Sequence, residues 1–134
     1  MTYTEAQKFQ TAYNNIKTNH FPISLAYKLM RLNATAADCI KFFETQYAQI
    51  ISEYALRDDD GQYVQTEDGS LKIIPEKIQE AGQRIAELEA FSIEIPDNQL
   101  LALDDLKEIN ENAQLSLEDL EIFMTFITKE KSAS

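Results

Sequence analysis

A chain of 134 residues with 44 % hydrophobic and 10 % aromatic residues can bury a core of its own, so it needs neither disulfide nor metal as a staple. Its 23 acids against 12 Lys and Arg leave a formal charge of −11, which argues against a partner that is itself an anion, whether nucleic acid or acidic membrane. One cysteine, Cys39, excludes an internal disulfide, and one histidine, His20, leaves no His or Cys pair for a zinc site.

In chain order, Thr2 and Thr4 suit helix N-caps, and Phe9, Tyr13 and Ile16 recur at helical spacing behind them. A first helix is predicted over 5–18, ended by Asn19-His20-Phe21-Pro22, since the residue before proline avoids helical dihedrals. Leu25, Leu29, Leu32, Ala36, Ile40, Phe43, Tyr47, Ile50 and Tyr54 then form one stripe with a mean step of about 3.6 residues, the α-helical period. That predicts a long helix over 24–56, bent near Asn33. Such a helix outruns what short neighbours can cover, so a homodimer through its apolar side is expected as an option.

Asp58-Asp59-Asp60-Gly61 reads as a helix-terminating turn. Alternation over 62–66 and 71–74 around Asp68-Gly69 predicts a β-hairpin. Pro75 opens a helix over 76–90, with Ile78, Ala81, Ile85 and Leu88 on its apolar face. Phe91, Ile93 and Ile95 alternate with polar residues, which predicts a third strand over 91–95. Leu100 to Ile109 fits either a short helix or an irregular segment. Ser116 caps a last helix that buries Leu117, Leu120, Phe123, Met124 and Ile127. The fold expected is α+β and predominantly α: a long central helix, three or four shorter helices, and a small antiparallel hairpin or three-stranded sheet. It is read as a single domain over 1–128 with a polar tail at 129–134, and no internal repeat is apparent.

Few chemistries fit. An EF-hand counted from Asp58 would place Tyr63 at the glycine position and Gly69 at the glutamate position, so calcium binding is not expected. Cys39 lies in an apolar-periodic segment and reads as a small buried hydrophobe. His20 sits at a helix end, where a cation suits the helix dipole. No catalytic, cofactor-binding or metal residue is assigned, and no cofactor is expected. The opening residues are polar and acidic, unlike a signal peptide, and no apolar run approaches the ~20 residues that span a bilayer.

Charge layout is the informative feature. Residues 75–128 hold thirteen acids against three bases, whereas residues 1–57 hold four acids against six bases. The expected partner is therefore a protein with a basic surface, with no direct contact to nucleic acid or membrane. Glu87, Glu89, Asp104, Asp105, Glu108 and Glu111, from the most acidic stretch, are the candidate contact residues.

The motifs Ile51-Ser52-Glu53-Tyr54-Ala55, Asp58-Asp59-Asp60-Gly61, Glu67-Asp68-Gly69, Ile93-Glu94-Ile95 and Leu115-Ser116-Leu117-Glu118-Asp119-Leu120 follow one another in a familiar order. Over about residues 22–127 the layout resembles small bacteriophage proteins of a family of unknown function. The resemblance implies phage or prophage origin and action in the bacterial cytoplasm, and it brings no catalytic residues. The function expected is a non-catalytic acidic protein-binding module, a phage accessory or assembly factor. The alternative is an anti-defence inhibitor, anti-CRISPR-like or a nucleic-acid mimic, that blocks a basic site on a host nucleic-acid enzyme.

Overall fold

A computed structural model describes residues 1–128; the expected polar tail lies outside the described residues. Regular structure among them consists of five α-helices, α1 (Tyr3–Ile16), α2 (Ile23–Tyr54), α3 (Ile78–Ala90), α4 (Leu103–Ala113) and α5 (Leu117–Thr125), and two single 3-10 turns, Pro75–Lys77 and Asp97–Gln99. Two compact units divide the chain. One joins Met1–Ile40 to the residues from Ser92 onward, and the other is the continuous stretch Lys41–Phe91. The long helix α2 contributes a segment to each.

Local chemistry sets the helix ends. Thr2 caps α1 reciprocally: its Oγ1 accepts from the Glu5 amide at 3.2 Å, and its own amide donates to Glu5 Oε1 at 3.0 Å. The Pro22 carbonyl accepts the Ala26 amide at 2.9 Å, which starts α2 at Ile23. Neither Gly nor Pro follows before Tyr54, and the helix runs through Asn33 unbroken. Asp105 Oδ2 accepts the Ala102 amide at 2.9 Å and caps α4, so the ambiguous stretch after Leu100 is helical from Leu103. Ser116 Oγ accepts the Asp119 amide at 3.1 Å and starts α5.

In the first unit the core is aromatic and closed. Phe9 is fully buried and meets Phe123 and Phe126 edge-on, with centroids 5.5 and 5.6 Å away. Edge-to-face pairs of this kind add to what burial alone contributes. Leu32, Leu101 and Ile109 are fully buried as well. Lys28 Nζ donates to Asp105 Oδ2 at 2.8 Å and Asn15 Nδ2 to Asp119 Oδ2 at 3.0 Å, tying α2 to α4 and α1 to α5.

The second unit is thinner. Ile50, Tyr54 and Ala81 form its buried cluster, with Ile73, Ile85 and Leu88 packed against it half-exposed. Phe42 and Phe91 lie 5.2 Å apart, and the Tyr54 hydroxyl donates to Glu80 Oε2 at 2.6 Å. The start of this segment of α2 thus meets the end of α3, and its end meets the start of α3: the two run antiparallel.

The expected hairpin and three-stranded sheet are not present: the described residues contain no β-strand and no sheet, only isolated bridges. Three short extended passes, centred on Leu56, Val64 and Lys72, instead close a ring of backbone hydrogen bonds. The Leu56 amide donates to the Lys72 carbonyl at 2.7 Å, Lys72 to Val64 at 2.8 Å, and Val64 to Leu56 at 3.0 Å. Each pass changes partner at its middle residue, so no ladder extends. Two similar turns make this possible. Gly61 donates to Asp58 and Gly69 to Thr66, at φ +79° and +88°, values glycine adopts without strain. The spacing of Leu56, Val64 and Lys72 reveals an eight-residue repeat, Arg57-Asp58-Asp59-Asp60-Gly61 against Gln65-Thr66-Glu67-Asp68-Gly69, contrary to the absence of repeats expected above.

The third expected strand also fails. Residues 91–95 form no strand. Ile93 belongs to the first unit, where its amide donates to the Met1 carbonyl at 2.9 Å and its carbonyl accepts from the Met1 amine at 2.5 Å. The alternation of Ile93 and Ile95 reflects packing on the first core, not pairing with the turns of the second.

Candidate functional site

The clustered aspartates of the two turns invite metal chemistry. Asp58 Oδ1 accepts the amides of Asp60 and Gln62 at 2.9 and 3.0 Å, so this carboxylate is spent on its own turn. Asp68 accepts from the Thr66 hydroxyl and from the Ser70 amide. These bonds, the Thr66 hydroxyl above all, hold its carboxyl below the ordinary aspartate value. No cluster of three metal-ligating side chains occurs among the described residues. Cys39 is buried, its thiol pKa is pushed up by desolvation, and its Sγ donates to the Met1 carbonyl at 3.5 Å, the environment of an inert thiol.

The six acidic candidates do not form one site within either unit. Glu87 and Glu89 are exposed on α3 of the second unit, while Asp104, Asp105, Glu108 and Glu111 are on α4 of the first. On α4, Asp104, Glu108 and Glu111 follow at i, i+4 and i+7 and share a helix face. Asp105 faces inward to Lys28 and the α4 amide, and Glu108 accepts from Asn112 Nδ2 at 2.8 Å. Acid is also spread more evenly than the linear layout suggests: eleven acids against five bases in Lys41–Phe91, twelve against seven in the remainder.

What the second unit does assemble is an open apolar cleft of about 520 Å³. Tyr47 and Ile51 of α2 form one wall, and Ile78, Ala81, Gly82 and Ile85 of α3 the other. Leu71 and Ile73, two residues apart on one extended pass, line it as well, together with Ser70. Tyr47 keeps 41 % and Ile78 59 % of its surface exposed, so the walls present large apolar side chains to water. A smaller cleft of about 170 Å³ is lined by Gln7, Lys8, Thr11, Glu118 and Asp119.

An ionic clamp fixes the two walls. Arg84 donates to Glu53 Oε2 at 2.7 Å and to the Tyr54 hydroxyl at 3.3 Å, and its guanidinium lies 5.6 Å from the Tyr54 ring. The bonds to Tyr54 and Glu53 raise its pKa further above the ordinary arginine value. Glu80 and Arg84 stand one turn apart on α3, at the i,i+4 spacing that lets charges pair along one helix. Instead each reaches across to α2: Glu80 to Tyr54, Arg84 to Glu53 and Tyr54.

Charge counting missed these lining residues because the cleft is apolar. Gly82 was the available signal: a glycine in the middle of a helical period that has no turn to make. A Cβ there would meet no atom within 4 Å, so nothing in the described chain requires glycine at that position.

A second exposed apolar stripe, Ile23, Tyr27 and Met30, follows i, i+4, i+7 on the first turns of α2 in the first unit. No helix is long and apolar enough to cross a membrane among the described residues. No family model, curated protein or solved structure matches the chain.

Proposed function

We propose that the chain is a non-catalytic, acidic protein-binding module whose main contact surface is the α2–α3 cleft. The observation that carries this reading is the open cleft itself, walled by large apolar side chains left in water. A soluble protein that exposes such a surface gains by covering it. An enzyme site would instead need convergent nucleophilic or titratable groups, and the only side-chain hydroxyls lining the cleft are those of Tyr47 and Ser70. Cys39, Asp68 and Arg84, whose pKa values are displaced, do not line it.

The resemblance to small phage proteins favours an accessory or assembly factor in the bacterial cytoplasm. A nucleic-acid mimic draws on charge alone, and Asp105, one of its acids, already serves the fold. Self-association through α2 has a surface of its own in Ile23, Tyr27 and Met30. Light scattering that gives a 15.3 kDa particle at high concentration would remove it.

The module reading is tested by placing a photo-crosslinking residue at Ile78, which is exposed on the cleft wall, and irradiating bacterial cells that express the protein. A discrete protein adduct is expected, absent when the crosslinker sits at Gln79 on the outer side of α3 and lost with Ile85→Asp. Equal labelling from both positions, or none from Ile78, would overturn the reading.

A further inference from the structure

We infer that the cleft receives an amphipathic, basic α-helix of a partner protein, with its backbone passing closest to the chain at Gly82. This rests on the protein-binding reading above and specifies the occupant.

Beyond the end of the cleft near Phe42 and Phe91, two carboxylates stand against one lysine, Lys41. Glu44 precedes Tyr47 by one turn on α2, in line with Tyr47 and Ile51. Glu89 follows Ile85 by one turn on α3, in line with Ile78, Gly82 and Ile85. Because the two helices run antiparallel, both carboxylates fall at this same end. Both are exposed, and neither has an ion-pair partner among the described residues. An occupant with apolar side chains along the cleft and Lys or Arg beyond them satisfies both features. A second copy of the chain is the poorer occupant, since each carries a net charge of −11.

The shape of the partner follows from the backbone. The walls are two antiparallel helices, between which the side chains of a third helix can seat at i, i+3, i+4 and i+7. Gly82 explains itself in that arrangement. Glycine weakens a helix interior relative to alanine, and here the space above it is open. A bare backbone at that point lets the docked helix approach more closely than any side chain would permit.

The test uses the whole protein at physiological ionic strength and two fluorescein-labelled peptides of about 15 residues, long enough to form a helix once bound. Both carry leucines at i, i+3, i+4 and i+7; the remaining positions are mainly lysine in one and glutamate in the other. The lysine peptide is expected to bind and gain helicity, with the glutamate peptide at least tenfold weaker. Gly82→Leu fills the cleft at unchanged net charge, so a tenfold or greater loss of lysine-peptide binding separates cleft docking from bulk attraction. Gly82→Ala should raise the melting temperature yet weaken the peptide, a divergence that a purely structural role for the position would not produce. Glu44→Lys with Glu89→Lys should weaken the lysine peptide tenfold or more. Undiminished binding to Gly82→Leu, or equal affinity for the two peptides, would overturn the inference. If no peptide binds while the Ile78 adduct in cells persists, the helical occupant is wrong and the protein-binding reading stands. If the adduct is also absent, both fall.

Discussion

The two compact units use their apolar side chains to different ends. The first packs a closed aromatic core, in which Phe9 meets Phe123 and Phe126 edge-on and the largest side chains have essentially no contact with water, while Ile23, Tyr27 and Met30 stay exposed on its surface. The second has five buried side chains, Phe43, Ile50, Tyr54, Ala55 and Ala81, with an ionic clamp and a ring of backbone hydrogen bonds, and it leaves Tyr47, Ile78, Phe42 and Phe91 substantially exposed. Stability and binding draw on the same resource, apolar area. A region that keeps its apolar side chains available for a partner has fewer to spend on its own fold.

The largest expected effect is therefore in the first unit. Phe123→Ala should destabilise by about 3–5 kcal/mol in denaturant titration, because an aromatic deletion in a closed core leaves a cavity. Phe43→Ala, whose ring stacks on half-exposed Tyr47 at 5.9 Å, should cost less, about 3 kcal/mol or below, since the surroundings can collapse. Equal losses at the two positions would break the contrast between the units.

Next in size is the clamp. Tyr54→Phe removes the hydroxyl that joins Glu80 and Arg84 and should cost about 1–2 kcal/mol. Hydrogen exchange should speed up in α3 and stay unchanged in α1 and α5. Faster exchange in α1 would mean that the two units open together.

Smaller still, the same substitution at two glycines should have opposite signs. Gly69→Ala forces a side chain into a left-handed turn and should destabilise by about 1–2 kcal/mol. Gly82→Ala should stabilise by about 0.5–1 kcal/mol, because helix propensity improves and nothing is displaced. Thermal melts of the two variants decide the matter.

The smallest effect is a pH dependence confined to one turn. The Asp68 carboxyl is held below its ordinary value, so its contribution is complete above that value and is lost as pH falls through the lowered one. The carboxylate is solvent-exposed, and global stability should barely respond. The Ser70 amide resonance, whose donor bonds Asp68, should titrate with a midpoint below that of an unstructured aspartate, and Asp68→Asn should abolish the step.

The helical part of the fold could be read from residues because helices are local. The stripe from Leu25 to Tyr54 needs only a period of 3.6, and Thr2 and Ser116 cap helices through bonds to amides three positions on. The passes around Leu56, Val64 and Lys72 misled for a physical reason. Alternating apolar residues flanking Asp68-Gly69 serve a hairpin and a ring equally well. The feature that separates the two is the matching turn at Gly61 eight residues earlier, a relation between segments. Ile93 misled in a similar way, since its partner, Met1, is ninety-two residues away in sequence. The acidic candidates followed from counting charge, which ignores which carboxylates the fold consumes, as it does Asp58 and Asp105. The cleft was hidden because its residues look like any buried helix face until the missing cover is seen.

The division of the chain also sets an order of assembly. The second unit is the uninterrupted stretch Lys41–Phe91, whereas the first unit must bring together Asn15 with Asp119 and Lys28 with Asp105, separations of 104 and 77 residues. During synthesis the earlier stretch is complete before Phe123 has been made. Closing a longer loop costs more chain entropy, by about 0.6 kcal/mol for each doubling of its length. Forming the inner unit first shortens the loop that the outer one must close. The second unit is then expected to form before the aromatic packing around Phe9, and pulsed hydrogen exchange during refolding that protects α1 before α3 would refute that order.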